Sequence, residues 1–212
     1  MFDILQRGGE FMYVILVASV VGVAVMIERT YFLYFRYRLN AEQFVNQIIG
    51  YLEEKKFSRA IEACNVESGH PLSDVVKSGL MKANESDKDI QRAMEAATMK
   101  AVPVVTKRVT YLGMIANIAT LLGLLGTIMG LIEAFKGVAQ ADAAAKQEIL
   151  SKGIAVAMFT TAFGLIAAIP CIVAFTIFQT RQNVILSQIE TKSTDLFNYL
   201  SARNRRLAKK RA

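Results

Sequence analysis

Three long apolar runs punctuate the chain, and between them hydrophobic positions recur at helical spacing. The first run, Phe11 to Ile27, stops at Glu28-Arg29. It is too long for the core of a cleaved signal peptide and lacks a small-residue cleavage site, so it reads as an uncleaved transmembrane helix. The second run carries no charge from Val109 to Ile132, and the third carries none from Gly153 to Thr180. Each exceeds the roughly 20 residues that cross about 30 Å of hydrocarbon. At 1.5 Å per residue the third makes about 42 Å of helix, so it is expected to tilt or to emerge into water.

The stretches between the runs are charged but still periodic. From Asn40 to Arg108 the pattern is that of amphipathic helices, with Phe44, Val45, Ile48, Ile49 and Leu52 on one stripe. Ser58 opens a second short helix through Ile61, and His70-Pro71 marks the turn into a third over Leu72 to Lys82. Ser86 with Asp89 forms a capping pattern that starts another helix at about Asp87. That helix is expected to run on toward Val109, with Pro103 bending or dividing it. Past Arg181, the positions Val184, Ile185, Ile189, Leu196, Phe197 and Leu200 continue a helix to a basic tail, Arg203 to Arg211.

The predicted fold class is therefore all-α: three transmembrane helices with long helical extensions. The expected division is an N-terminal segment 1–10, a first span 11–35, a helical domain 36–108, a second span 109–135, a connection 136–152, a third span 153–180 and a helical tail 181–212. Basic residues decide the orientation. Arg29, Arg36 and Arg38 interleave with Tyr31, Phe32, Tyr34, Phe35 and Tyr37 at the exit of the first run, a composition suited to a cytoplasmic interface. The domain 36–108 and the tail are then cytoplasmic, and segment 1–10 and connection 136–152 are periplasmic. Segment 1–10 is mixed in character and could lie along a membrane surface.

Composition agrees with this segregation: 53% of residues are hydrophobic although 20% are charged. The net charge of +7 follows from the basic flanks of the apolar runs, so membrane topology explains it without a nucleic-acid partner. Two cysteines, one in a charged segment and one in an apolar run, exclude a disulfide scaffold and a zinc site. The lone His70 sits before Pro71 as a loop residue, which leaves no histidine-based chemistry or metal site. No nucleotide-binding loop, catalytic triad or carboxylate pair is visible, and neither a cofactor nor an enzyme activity is expected. A protein of this kind that does work must draw on the membrane potential, about 2.3 kcal/mol per charge per 100 mV.

What remains is a small polar inventory inside the spans: Asn117, Thr120 and Thr127 in the second, Thr160 and Thr161 in the third. Gly123, Gly126 and Gly130, with Ala119 and Thr127, build a small-residue face, and Ala157, Thr161, Gly164 and Ala168 build another. Two such faces could enclose another helix or a narrow hydrated path; they could equally pack within the subunit. Each threonine hydroxyl could bond the carbonyl one turn back or could line an ion path. Pro170 is expected to kink the third helix and free the carbonyl near Ile166. Glu28 and Glu133 read as helix-end charges, with Arg29 beside Glu28 at the interface.

The run Ala119-Thr120-Leu-Leu-Gly-Leu-Leu-Gly-Thr127-Ile-Met-Gly130, with Thr161-Ala-Phe-Gly-Leu-Ile-Ala-Ala-Ile-Pro170, resembles the ExbB/TolQ branch of the MotA/TolQ/ExbB proton-channel family. The resemblance covers nearly the whole chain. It implies a homopentameric ring in the bacterial inner membrane around two copies of a single-span ExbD- or TolR-like partner whose aspartate carries the proton. It places Thr127 and Thr161 opposite that aspartate; Thr120 and Thr160, as the neighbouring hydroxyls of the two spans, are expected on the same path. Thr120 stands where the family commonly has proline and Val156 where many members have glutamate, so the partner is left as the expected titrating group. The different reading is a non-conducting membrane scaffold whose helical domain and basic tail recruit cytoplasmic partners or anionic lipid. On either reading, removal of Arg203 to Ala212 is expected to alter surface or partner association and not conduction.

Overall fold

The structure, a computed structural model, describes residues 10–37, 39–65 and 69–211. The expectations for segment 1–10 lie outside the described residues apart from the backbone of Glu10, as does Arg38; so do the side chains of the basic end beyond Leu207. The described residues are helical, with no strand among them. Helix α1 is Glu10–Thr30 and continues into a π-helical turn, Tyr31–Arg36. It is followed by α2 (Ala41–Glu53), α3 (Phe57–Ala63), α4 (Pro71–Met81), α5 (Asp87–Thr106), α6 (Val109–Gln140) and α7 (Lys146–Arg211). Three stretches of helix, within α1, α6 and α7, are long and apolar enough to cross a membrane.

These elements form two compact units. The first holds residues up to Arg29 together with Arg108–Ile177, and the second holds Thr30–Lys107 together with the chain from Phe178 onward.

In the first unit α1, α6 and α7 meet around Ile15, Ile115, Ala116, Ala119, Ala167, Ala168 and Cys171. Most of these are small, which lets the backbones approach closely enough for dispersion to hold helices together without a water-driven term. Gly22 belongs to the same logic: a Cβ there would stand 2.8 Å from Cys171 Sγ. The bulky residues point outward, with Val17 62%, Leu121 63% and Ile166 66% exposed, as hydrocarbon or another apolar helix requires.

Two expectations change here. The helix from Asp87 does not run unbroken into α6; it ends at Thr106, and Arg108 has φ 62°, a left-handed conformation that interrupts the helix. Pro103 lies inside α5 and is not the breakpoint. A proline removes one hydrogen bond, whereas a left-handed residue cannot continue the helix at all. Within the connection 136–152 only residues 141–145 are outside helix, because α6 persists to Gln140 and α7 starts at Lys146. Helix α7 passes through Pro170 without interruption.

In the second unit the amphipathic stripe is buried at Phe44, Val45, Ile48 and Leu52, and Leu72, Val76, Ile90, Met94, Ile185, Ile189, Leu196 and Leu200 are buried as well. The Ser86 cap falls where the sequence placed it, Asn40 adds a cap that the sequence reading did not name, and the short helix starts at Phe57, one residue before Ser58. Asn40 accepts from the Gln43 amide at 3.2 Å, and Ser86 accepts from the Asp89 amide at 3.3 Å. Gln182, buried on α7, donates to the Val105 carbonyl at 3.0 Å, satisfying one of the orphan carbonyls in the last turn of α5.

His70 is more than a loop residue. It is 1% exposed and caps α4, its Nδ1 accepting from the Leu72 amide at 3.1 Å. Burial, with the Arg181 charge as a smaller contribution, pulls its pKa down from 6.5 to about 4. The folded value lies below the unfolded one, so the stability of a neutral His70 is complete above about pH 6.5 and drains as pH falls toward 4. We expect the second unit to lose about 2 kcal/mol between pH 7.5 and pH 5, read by hydrogen exchange across α4 in the intact chain. His70→Asn, which keeps a capping acceptor, should flatten that dependence; an unchanged slope would place the titration elsewhere.

The basic tail is partly structural. Ser201 Oγ donates to Asp87 Oδ2 at 2.6 Å, Arg203 Nη2 donates to Asn84 Oδ1 at 3.0 Å, and the Arg203 guanidinium lies 4.4 Å from the Phe57 ring centroid. A deletion starting at Arg203 therefore removes packing as well as charge. We expect it to destabilise the second unit by about 1–2 kcal/mol, whereas a deletion starting at Leu207 leaves stability unchanged in thermal unfolding.

Candidate functional site

The centre of the first unit is the seam between α6 and α7. Ala116, Ala119, Gly123, Gly126, Gly130 and Ala134 are buried along one line of α6, at spacings of three and four. From Ala119 to Ala134 each meets a small residue of α7 running the other way. A Cβ built on Gly164 would lie 2.7 Å from the Ala119 carbonyl oxygen and 3.0 Å from Gly123 Cα. One on Gly126 would lie 2.2 Å from Thr160 Cγ2, and one on Gly130 would lie 3.2 Å from Ala157 Cβ. The two small-residue faces, which could have enclosed a foreign helix or a hydrated path, are instead spent on each other within one chain. Close backbone approach demands matched small residues on both sides, and the two faces supply them for each other.

This packing sorts the four threonines. Thr160 is 1% exposed; its hydroxyl donates to the Val156 carbonyl at 2.9 Å and its methyl occupies the space left by Gly126. Grouped with the ion path in the sequence, it is placed inside the seam, where its side chain meets α6 of its own chain rather than a partner. Thr161 bridges the helices, its Oγ1 donating to the Gly123 carbonyl at 3.0 Å. Thr120 donates to Ala116 at 3.0 Å and Thr127 donates to the Leu124 carbonyl, both back along α6. With their protons committed to carbonyls, the oxygens of Thr120, Thr127 and Thr161 act outwardly as acceptors.

These three share a flank. Helix α1 covers the side of the seam where Leu122 of α6 and Phe163 of α7 join its core. At about 100° per residue, Thr120 and Thr127 lie on the opposite side of α6, and Thr161 lies on the opposite side of α7. Thr120 is exposed and Thr127 and Thr161 are half-buried. The arrangement offers hydroxyl oxygens along an otherwise apolar surface, a chemistry suited to hydrating or hydrogen-bonding a passing carrier without a buried charge. Val156 is half-buried and adds no ionisable group; Pro170 is exposed.

At the Arg108 end of the unit, Glu28 Oε1 accepts from Arg29 Nη2 at 3.1 Å and, in a shorter contact, from Arg108 Nη1. Glu28 and Arg29 are thus tied into a three-residue ionic group, with Arg29 buried. Arg108 was not legible as a site residue. Its role depends on a left-handed turn and on a carboxylate 80 positions away, and neither leaves a local pattern.

The family model described as the MotA/TolQ/ExbB proton channel family matches residues 67–191, which take in the α6/α7 seam and all four threonines. The chain belongs to this family. Among curated relatives, it is 28% identical to an ExbB-like biopolymer transport protein of Synechocystis over 82% of this chain and 83% of that one. It is 36% identical to the Tol-Pal system protein TolQ of Haemophilus influenzae over 46% of this chain and 42% of that one. It is 51% identical to the biopolymer transport protein exbB1 of Vibrio cholerae over 61 residues, 29% of this chain and 27% of that one. The aligned region thus spans under half of the last two proteins. With three helices long and apolar enough to cross a membrane, the family member described here is a multi-pass membrane protein of a proton-channel family.

Proposed function

We propose that the chain is the channel subunit of an ion-driven motor in the bacterial inner membrane. In this reading it closes into a homopentameric ring around a dimer of an ExbD/TolR-like single-span partner and turns the proton motive force into work across the periplasm. The work is outer-membrane transport, envelope maintenance or gliding. The spans are 11–35, 109–135 and 153–180, with segment 1–10 and connection 136–152 periplasmic, and domain 36–108 and tail 181–212 cytoplasmic. Thr127, Thr161 and Thr120 face the partner along the ion path, and Gly123, Gly126, Gly130 and Gly164 hold the wall that carries them.

The observation that supports this best is the gathering of three hydroxyl oxygens on the flank of the seam that α1 leaves open. The wall has no carboxylate among them, so the titrating group comes from the partner. The test is proton flux into liposomes holding the chain alone or with an ExbD/TolR-like partner, under an imposed potential. Flux is expected only when both are present. An intact complex that carries none would leave the non-conducting scaffold as the reading.

A further inference from the structure

We propose that Asn117 extends the hydroxyl path from Thr120 toward the Arg108 end of α6, as a polar station that the motif residues do not include. The inference rests on the ion-path reading above and adds to it.

The threonines alone cover little of the membrane. Thr120 to Thr127 is about 10 Å of helix, against about 30 Å of hydrocarbon. From Thr120 back to Thr110, at the start of α6, is a further 15 Å or about that. Asn117 lies within this interval and, apart from Thr110 at its far end, is the only residue there with a hydrogen-bonding side chain beyond the phenol of Tyr111. Its side chain is exposed, and none of the described residues hydrogen-bonds it. An amide with two donors and an acceptor, facing hydrocarbon without partners, is disfavoured unless water or another polar group meets it.

Its angular position matches. Asn117 lies about 60° around α6 from Thr120 and about 80° from Thr127, on the side turned away from the α1 contact. Ile118, one residue on and at the same depth, points about 100° further round and is 41% exposed. The two positions therefore separate a hydrated surface from a lipid-facing one at equal depth.

The test uses single Cys variants of the full chain in membrane vesicles and a membrane-impermeant methanethiosulfonate reagent. The native Cys64 and Cys171, both buried, are measured as the blank in the unsubstituted chain. The reagent attacks the thiolate, which forms only where water reaches the sulfur. Asn117→Cys and Thr127→Cys should be modified about tenfold or more faster than Ile118→Cys. If Thr127→Cys reacts quickly and Asn117→Cys is as slow as Ile118→Cys, the proposal is overturned while the ion path stands. If Thr127→Cys is as slow as Ile118→Cys, the ion path itself is overturned, and the proposal with it.

Discussion

Gly164→Ala should push α6 and α7 apart and cost the first unit about 3 kcal/mol, the upper end of what one added methyl does in a packed interior. The new Cβ would stand 2.7 Å from the Ala119 carbonyl oxygen and 3.0 Å from Gly123 Cα, and both are backbone atoms. Backbone inside a helix cannot swing away as a side-chain tip can, so the strain is relieved only by separating the helices, which loosens contacts along the seam. Gly126→Ala gives the informative contrast. Its clash, at 2.2 Å, is with Thr160 Cγ2, a side-chain atom. Thr160→Ala removes that atom, so the double variant should recover most of the stability lost by Gly126→Ala, whereas no single side-chain truncation should rescue Gly164→Ala. Denaturation midpoints in a mixed-detergent titration measure both. A Gly164→Ala chain as stable as the original would mean that the seam is looser than its geometry states.

The same seam shows what a sequence can and cannot disclose. Small residues at spacings of three and four announce a face for close approach, and the hydroxyls within it announce chemistry. They do not say which backbone approaches. Gly123 and Gly164 read alike whether they receive a partner helix or each other, and only their placement resolves it. Thr160 and Thr161 are adjacent and chemically identical, yet a rotation of about 100° puts one inside the seam and the other at its edge. The amphipathic stripe of α2 and the capping residue Ser86 were legible because each signal is local, set by neighbours in the sequence. His70 as a buried cap, Gln182 on the Val105 carbonyl and Arg108 on Glu28 were not, because each partner or covering element lies elsewhere in the chain.

Removing the hydroxyls at Thr127 and Thr161 together should lower proton flux at least about tenfold, because losing one hydrogen bond's worth of barrier stabilisation, about 1.4 kcal/mol, already has that effect. Valine is the right replacement, since it keeps the branched shape and deletes only the oxygen. The structural cost should be small. Thr127 donates back along its own helix. Thr161 donates to the Gly123 carbonyl, which as part of α6 has a second lone pair for its helical amide. Each loss is then a net hydrogen bond of about 0.5–1.5 kcal/mol, too little to open the seam. Thr161→Ser separates the two roles, because it retains the oxygen and loses only a methyl at the edge of the seam. It should keep flux near the original level, while Thr161→Val, with similar stability, should not. The measurement is flux in liposomes holding the chain and its single-span partner, with assembly verified by size. Equal flux from the Thr127→Val, Thr161→Val complex and the original would remove the hydroxyls from the path. The seam would then be a rigid wall and nothing more, and the ion would have to pass along a surface that the threonines do not line.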